Sequence, residues 1–381
     1  IEALIREGGG WGVEEVTELG ALSGGATAQR WGDLADRNRP VLHTHDRYGH
    51  RIDEIEYDPA YHDLMRTAIA HGLHAAPWAD ERPGAHVVRA AKMGVWTPEP
   101  GHVCPISMTY AVVPALRHNA ELADVYEPLL TSRAYDPALT VPTTKVGITA
   151  GMSMTEKQGG SDVRAGSTAA VRNADGSYSL TGHKWFTSAA MSDVFLVLAH
   201  APAGLSCFLM PRVLPDGTRN RMLLQRLKNK LGNHANASSE VEYDGAIAWL
   251  VGEEGRGVPT IIEMVNLTRL DCTLGSATSM RQGLTRAIHH AAHRKAFGAY
   301  LIDQPLMRNV LADLATEAEA ATVVAMRMAG ATDAANRGDE RETLLRRIGL
   351  AAAKYWVCKR ATPHAAEAME CLGGNGYAED S

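Results

Sequence analysis

The spacing of apolar and polar positions divides the chain into a helical part, a strand-rich part and a second helical part. Residues 8–61 read as irregular, because Gly8-Gly9-Gly10, Gly24-Gly25 and Pro40 interrupt any helical period. Asp58-Pro59-Ala60-Tyr61 then has the form of a helix entry, with Leu64, Met65, Ala68 and Ile69 as an apolar stripe on the turns that follow. Helical patterning resumes over 87–95 and 104–115. From Lys145 the period shortens to that of strands, with apolar runs at 148–154, 167–171, 178–180, 194–198 and 206–210. Asn173-Ala174-Asp175-Gly176 and Pro215-Asp216-Gly217 are turn signals between them, and Gly232-Asn233 and Tyr243-Asp244-Gly245 carry the pattern to about Trp249. After Glu253-Glu254-Gly255-Arg256-Gly257 three long helical stretches follow. They run from Val258 or Pro259 toward Lys295, over 305–329 and over 341–372, the last stopped by Gly373-Gly374-Asn375-Gly376. The expected fold class is α+β: a mainly helical domain over 1–144, a mostly β domain over 145–254, and an incomplete helical bundle over 255–381.

Composition narrows the class without changing that division. With 381 residues, 45% of them hydrophobic, the chain can bury substantial cores in two or three domains. A net charge of -6 and the lack of a long Lys/Arg run argue against a nucleic-acid surface within this segment. The five cysteines, Cys104, Cys207, Cys272, Cys358 and Cys371, include no close pair and fit a reducing cytosol. No run is long enough to span a bilayer, and Ile1-Glu2-Ala3-Leu4-Ile5-Arg6 is not a secretory signal, so the expectation is a soluble cytoplasmic protein. A start without Met and an end at Asp380-Ser381, just past a glycine-rich turn, lead us to expect a fragment.

The chemistry concentrates in two stretches. Gly151-Met152-Ser153-Met154-Thr155-Glu156-Lys157-Gln158-Gly159-Gly160-Ser161-Asp162 combines small residues, hydroxyls and adjacent glycines, so its backbone can approach a planar or phosphorylated ligand and offer N–H donors. Lys184-Trp185-Phe186-Thr187-Ser188 sets an indole beside hydroxyls at the end of a strand. A tight β-turn would explain the first stretch alone. The pair reads as a flavin wall.

The two stretches resemble the signature of the acyl-CoA dehydrogenase family, and Met154-Thr155-Glu156-Lys157-Gln158-Gly159-Gly160-Ser161-Asp162 is similar to its AidB-like branch of alkylation-response flavoproteins. The resemblance implies a family fold with a barrel-like middle domain and FAD held by Met152, Met154, Thr155, Gly160, Ser161, Trp185, Phe186, Thr187 and Ser188. Arg294-Lys295-Ala296-Phe297-Gly298 with Gln304 looks like a further family element, in which Arg294, Phe297 and Gln304 serve the dinucleotide across a subunit contact. Gly373 and Gly374 match a late glycine turn with the same implied role, although Glu370 stands where the common pattern has Gln. Thr109, Thr155 and Ser188 are the implied substrate contacts, Thr109 being equally explained by helix packing.

The resemblance also implies α,β-dehydrogenation of a short or branched acyl-CoA, with hydride passing to flavin N5. The catalytic glutamate is expected beyond Ser381. In a branched-chain subclass the base stands just before a shared arginine, where this chain has Thr268 before Arg269; Arg269 is then left as support for a carboxylate, and Asp271 is read as structural. The branch further implies a homotetramer and a DNA-associated protective role through a C-terminal region, which makes a DNA-binding flavoprotein with incidental dehydrogenase activity the alternative. His289 and His293 share a helix face but lack further ligands, so no metal site is expected.

Overall fold

The computed structural model describes residues 1–378; residues 379–381 of the third expected segment, and the glutamate expected past Ser381, lie outside the described residues. Ten α-helices are present among the described residues: α1 (Glu2–Arg6), α2 (Val13–Gly24), α3 (Ala26–Arg37), α4 (Pro59–Ala70), α5 (Ala85–Val95), α6 (Val103–Leu116), α7 (Ala120–Thr131), α8 (Gly257–His293), α9 (Pro305–Asn336) and α10 (Glu340–Glu370). The principal strands are β1 (Val41–His45), β2 (Arg51–Glu56), β3 (Ala150–Ser153), β4 (Ala169–Arg172), β5 (Tyr178–Thr187), β6 (Val194–Ala201), β7 (Gly204–Pro211), β8 (Met222–Leu227) and β9 (Ser239–Val251).

The expectation of an irregular start is corrected. Helices α2 and α3 and the antiparallel hairpin β1–β2 fill residues 13–56. The Gly24-Gly25 pair does break a helix, but between two helices: Gly25 is the extended N-cap of α3. The buried positions of α3 are Ala28, Gly32 and Ala35, at i, i+4 and i+7. That stripe is made of small residues, so it carries little hydrophobic signal in the sequence. A side chain at Gly32 would collide with the Pro98 carbonyl. Asp58 caps α4 as expected, its Oδ1 accepting from the Ala60 N–H at 2.8 Å with Pro59 in the first turn.

The contacts divide the chain into two compact units, one of residues 21–81 and 98–268, the other of residues 1–20, 82–97 and 269–381. The first contains a seven-stranded mixed sheet in the order β3-β5-β4-β6-β7-β9-β8. Added pairings of β5 with β9 and of β3 with β6 close it into a barrel-like form. Its core joins Leu196, Leu198 and Leu209 of the sheet to Val112, Val113 and Leu116 of α6. Strand β5 is longer than the expected 178–180 and carries the whole Lys184–Thr187 segment, while β8 had no counterpart in the sequence reading.

In the second unit Val87 and Val88 of α5 pack with Leu270, Leu274 and Met280 of α8 and with Ala321, Ala325 and Ala329 of α9. Alanines at every fourth position let these helices approach closely. No helix among the described residues is long and apolar enough to cross a membrane.

Candidate functional site

The loop that follows β3 and the end of β5 are held together by one buried carboxylate. Glu156 and Lys184 are each 2% exposed, and Lys184 Nζ donates to Glu156 Oε1 at 2.8 Å. The same Oε1 accepts from the Thr168 hydroxyl at 2.6 Å and its N–H at 3.1 Å. The other oxygen accepts from the Ser167 N–H at 2.6 Å, the Ser167 hydroxyl at 2.9 Å and Gln158 Nε2 at 3.0 Å. Every lone-pair direction of the carboxylate is used, which is the condition under which a buried ion pair is tolerated. Glu156, Lys184 and Thr168 were missed as site-building residues, although strand alternation from Leu180 places Lys184 on the inward side of β5.

Burial opposes the charge on Glu156, but the hydrogen bonds from Lys184 and Thr168, the Ser167 N–H and the ammonium charge outweigh it and hold the carboxyl well below its ordinary range. Because the folded pKa is depressed, the stabilisation is complete above the ordinary value near 4.5 and declines as pH falls toward the folded pKa. The stability difference between wild type and Glu156→Gln, measured by urea unfolding, should therefore be level between about pH 7 and 5 and shrink by about pH 3. A difference that collapses between pH 7 and 5 would refute the assignment.

The clamp sets the aromatic side chains outward. The pairing of β5 with β9 shifts register between Lys184 and Thr187, so Trp185 and Phe186 occupy a bulge. Lys184 and Thr187 both turn inward, while Trp185 is half-buried and Phe186 exposed. The Trp185 N–H donates to the Thr155 carbonyl at 2.7 Å, which docks the loop beside the indole. Lys228 Nζ stands 3.5 Å from the Trp185 ring centroid and 4.5 Å from that of Phe186, with Arg226 and Lys157 farther out. The result is an aromatic shelf with a cationic border.

The small residues of the loop have distinct reasons. A Cβ on Gly160 would come 2.7 Å from the Thr155 hydroxyl oxygen, whereas Gly159 has left-handed φ (+130°) and open space beside it. The hydroxyls of Thr155 and Ser161 have no hydrogen-bond partner among the described residues. Met152 and Met154 are partly buried against the sheet core. Ser188 Oγ lies 3.3 Å from Ser238 Oγ, and Ala189 directly after it is buried with φ +49°.

Two of the expected contact residues have hydroxyls engaged within the protein. Thr109 is fully buried; its hydroxyl donates to the Pro105 carbonyl at 2.7 Å and accepts from the Ala150 N–H at 3.0 Å, fastening α6 to β3. Thr187 is likewise fully buried, with its hydroxyl bonded to Ser153 Oγ, which also accepts from Tyr243 Oη at 2.9 Å. Its side chain is spent inside the barrel, because the bulge returns it to the inner face.

The other expected residues lie in the second unit. Arg294 directly follows α8 and leads into a short hairpin, Lys295–Ala296 with Ala299–Tyr300, whose turn residues Phe297 and Gly298 both have positive φ. Phe297 is 99% exposed. Gln304 is the N-cap residue of α9, and its Nε2 donates to the Ala296 carbonyl at 3.3 Å. Gly373 and Gly374 have open space where a side chain would stand, and the Tyr377 hydroxyl donates to Glu370. Asp271 makes a bidentate buried pair with Arg89, Nη2 to Oδ2 at 2.8 Å, and Thr268 donates to the Val265 carbonyl of its own helix at 2.9 Å. Arg269 is half-buried on α8. The His289 and His293 rings lie 4.3 Å apart, with His293 Nδ1 against the His289 carbonyl at 2.7 Å.

Comparison with known proteins gives this architecture its place. Residues 1–137 match the adaptive response protein AidB N-terminal domain, residues 151–246 the acyl-CoA dehydrogenase middle domain, and residues 255–381 the acyl-CoA dehydrogenase C-terminal domain. The chain is 47% identical over its full length to AidB of Escherichia coli (strain K12), of which it spans 70%. It belongs to the acyl-CoA dehydrogenase family, in the AidB-like branch.

Within the family it is 32% identical, over 92% of its length, to acyl-CoA dehydrogenase family member 11 of Caenorhabditis elegans, of which it spans 59%. The crystal structure of C. elegans ACDH-11 in complex with C11-CoA superposes with a TM-score of 0.85 at 31% identity, covering 93% of this chain and 62% of that one. The apo form of Bd2924 superposes with a TM-score of 0.90 at 30% identity, covering 100% of this chain and 78% of that one. FAD is the cofactor of this family, and the chain is an acyl-CoA dehydrogenase-like flavoprotein. The residues present suit such a group: an outward indole and phenyl shelf, bordering cations, two unpartnered hydroxyls and glycines that leave the backbone approachable.

Proposed function

We propose that this chain is the cofactor-binding part of an enzyme that removes hydrogen from the α and β carbons of a short or branched acyl-CoA. The observation that carries the reading is the fully satisfied Glu156–Lys184 clamp, which sets Thr155 against Trp185 and leaves the aromatic shelf outward. When bound, FAD would supply the two-electron acceptor for the β-hydrogen. Trp185 and Phe186 would provide its stacking surface, the Thr155 and Ser161 hydroxyls would be its polar partners, and Gly160 keeps the loop close. Ser188 borders the substrate. Arg269 supports the charge of a base carboxylate supplied from elsewhere in the whole protein.

The same reading makes the protein a homo-oligomer in which Arg294, Phe297, Gln304, Gly373 and Gly374 serve the dinucleotide of a neighbouring copy. A large exposed phenyl on a turn of left-handed backbone supports it, as does the exposed stripe of Leu344, Ile348 and Tyr355 on α10. DNA association ranks behind this reading. Near the start of α10, Arg341, Arg346 and Arg347 are mixed with Asp339, Glu340 and Glu342, and Glu342 pairs with Arg327.

Anaerobic titration of the flavin-loaded full-length protein with isovaleryl-CoA and other short acyl-CoAs tests the activity. Stoichiometric loss of the oxidised flavin band is expected. Fully loaded protein whose flavin stays oxidised across the series would remove the short acyl-CoA assignment.

A further inference from the structure

The helical unit contains a cavity of about 220 Å³ bordered by α1, α2, α5, α8 and α9. Its walls include Leu4, Val16, Val95, Leu274 and Met326, and none of its lining residues is acidic. The polar side chains on its lining separate into two kinds. Thr17 and Thr322 donate to the Val13 and Ala318 carbonyls of their own helices at 2.7 and 2.8 Å. Thr278 and Arg281, one turn apart on α8, have no hydrogen-bond or ion-pair partner among the described residues. Arg281 is exposed and Thr278 half-buried, which puts the charge at the rim.

Two features keep the space open. Gly20 and Gly94 both line it, and a Cβ on Gly94 would meet only the Thr278 hydroxyl, at 3.7 Å, so room for a side chain exists and is left unused. An apolar space of this size forfeits dispersion contacts along its lining unless something fills it. At roughly 30 Å³ per carbon, close to the volume share of a water molecule, it accommodates about seven carbons.

We propose that this cavity binds a medium-chain aliphatic carboxylate, its chain among the apolar walls and its carboxylate at Arg281 and the Thr278 hydroxyl. The site is separate in its residues from the flavin shelf and goes beyond the proposed dehydrogenation. A guanidinium with no competing acid on the lining selects an anion, and the apolar walls select its alkyl chain.

Calorimetric titration of the flavin-loaded protein with sodium octanoate and, separately, with 1-octanol reads the two halves of the site apart. Octanoate is expected to saturate one site per chain, with octanol weaker by about tenfold. Arg281→Gln should weaken octanoate by about tenfold and leave octanol unchanged. Gly94→Leu, which fills the cavity from a helical position, should abolish binding of both. Thermal melts and flavin content confirm that each variant is folded, and Arg281→Gln, at an exposed position, carries the test if Gly94→Leu fails to fold. Octanoate binding that neither variant alters, or no saturable heat at about 1 mM octanoate, overturns the proposal. Flavin reduction by acyl-CoA is read separately, so failure here leaves the dehydrogenase assignment standing.

Discussion

Glu156→Gln is expected to lower the stability of the folded protein by about 3–5 kcal/mol and to abolish tight flavin binding. The substitution keeps the shape and an acceptor oxygen but leaves the ammonium of Lys184 buried without a counter-charge and removes acceptor capacity that Thr168, Ser167 and Gln158 use. The loop carrying Thr155 to Ser161 then loses its anchor to the sheet, so the loss falls on cofactor affinity as well as on stability. Flavin content after gel filtration and urea unfolding together read both effects. Lys184→Met should cost a similar amount alone, and the double variant should be more stable than the sum of the two predicts, because it leaves no isolated charge. Strictly additive losses, or full flavin occupancy in Glu156→Gln, would contradict the clamp.

Asp271→Asn is expected to destabilise by about 3 kcal/mol while leaving the rate of flavin reduction by acyl-CoA in the folded protein within about twofold of wild type. Asp271 is close in sequence to the place where a branched-chain subclass carries its base, but its carboxylate is engaged by both Nη atoms of Arg89 in a buried pair. A carboxylate held in that geometry fastens α5 to α8, with both of its oxygens engaged by one guanidinium. Thermal unfolding and single-turnover reduction distinguish the roles. Normal stability with reduction slowed a hundredfold or more would make Asp271 the base.

The sequence by itself determined the long helices and most of the barrel strands. Helices α8 and α10 follow the expected ranges closely, because a helical pattern sustained over thirty residues outweighs local breakers, and α10 is in addition stopped by the glycine turn at Gly373. Strands β6 and β7 were legible as apolar runs between turns for the same reason. The motif stretches, too, could be located without coordinates. Tertiary structure decided which way their side chains point. Thr187 and Trp185 are two residues apart and would share a face in a regular strand; the bulge separates them, sending the hydroxyl into the barrel and the indole outward. Thr109 has residue type suited to a pocket, yet its hydroxyl accepts from the Ala150 N–H on β3.

Helices α2 and α3 escaped notice because the α3 stripe is Ala28, Gly32 and Ala35, whose value lies in close approach and not in hydrophobic area. The Glu156–Lys184 pair is the clearest division between the two levels. Both residues stand in plain sight within the motifs, but a charged side chain reads as solvent-facing until a partner, 28 positions away in sequence, is brought within 2.8 Å of it. Local pattern is a property of neighbours along the chain. Satisfaction of a buried charge is a property of neighbours in space, and only the closed barrel supplies them.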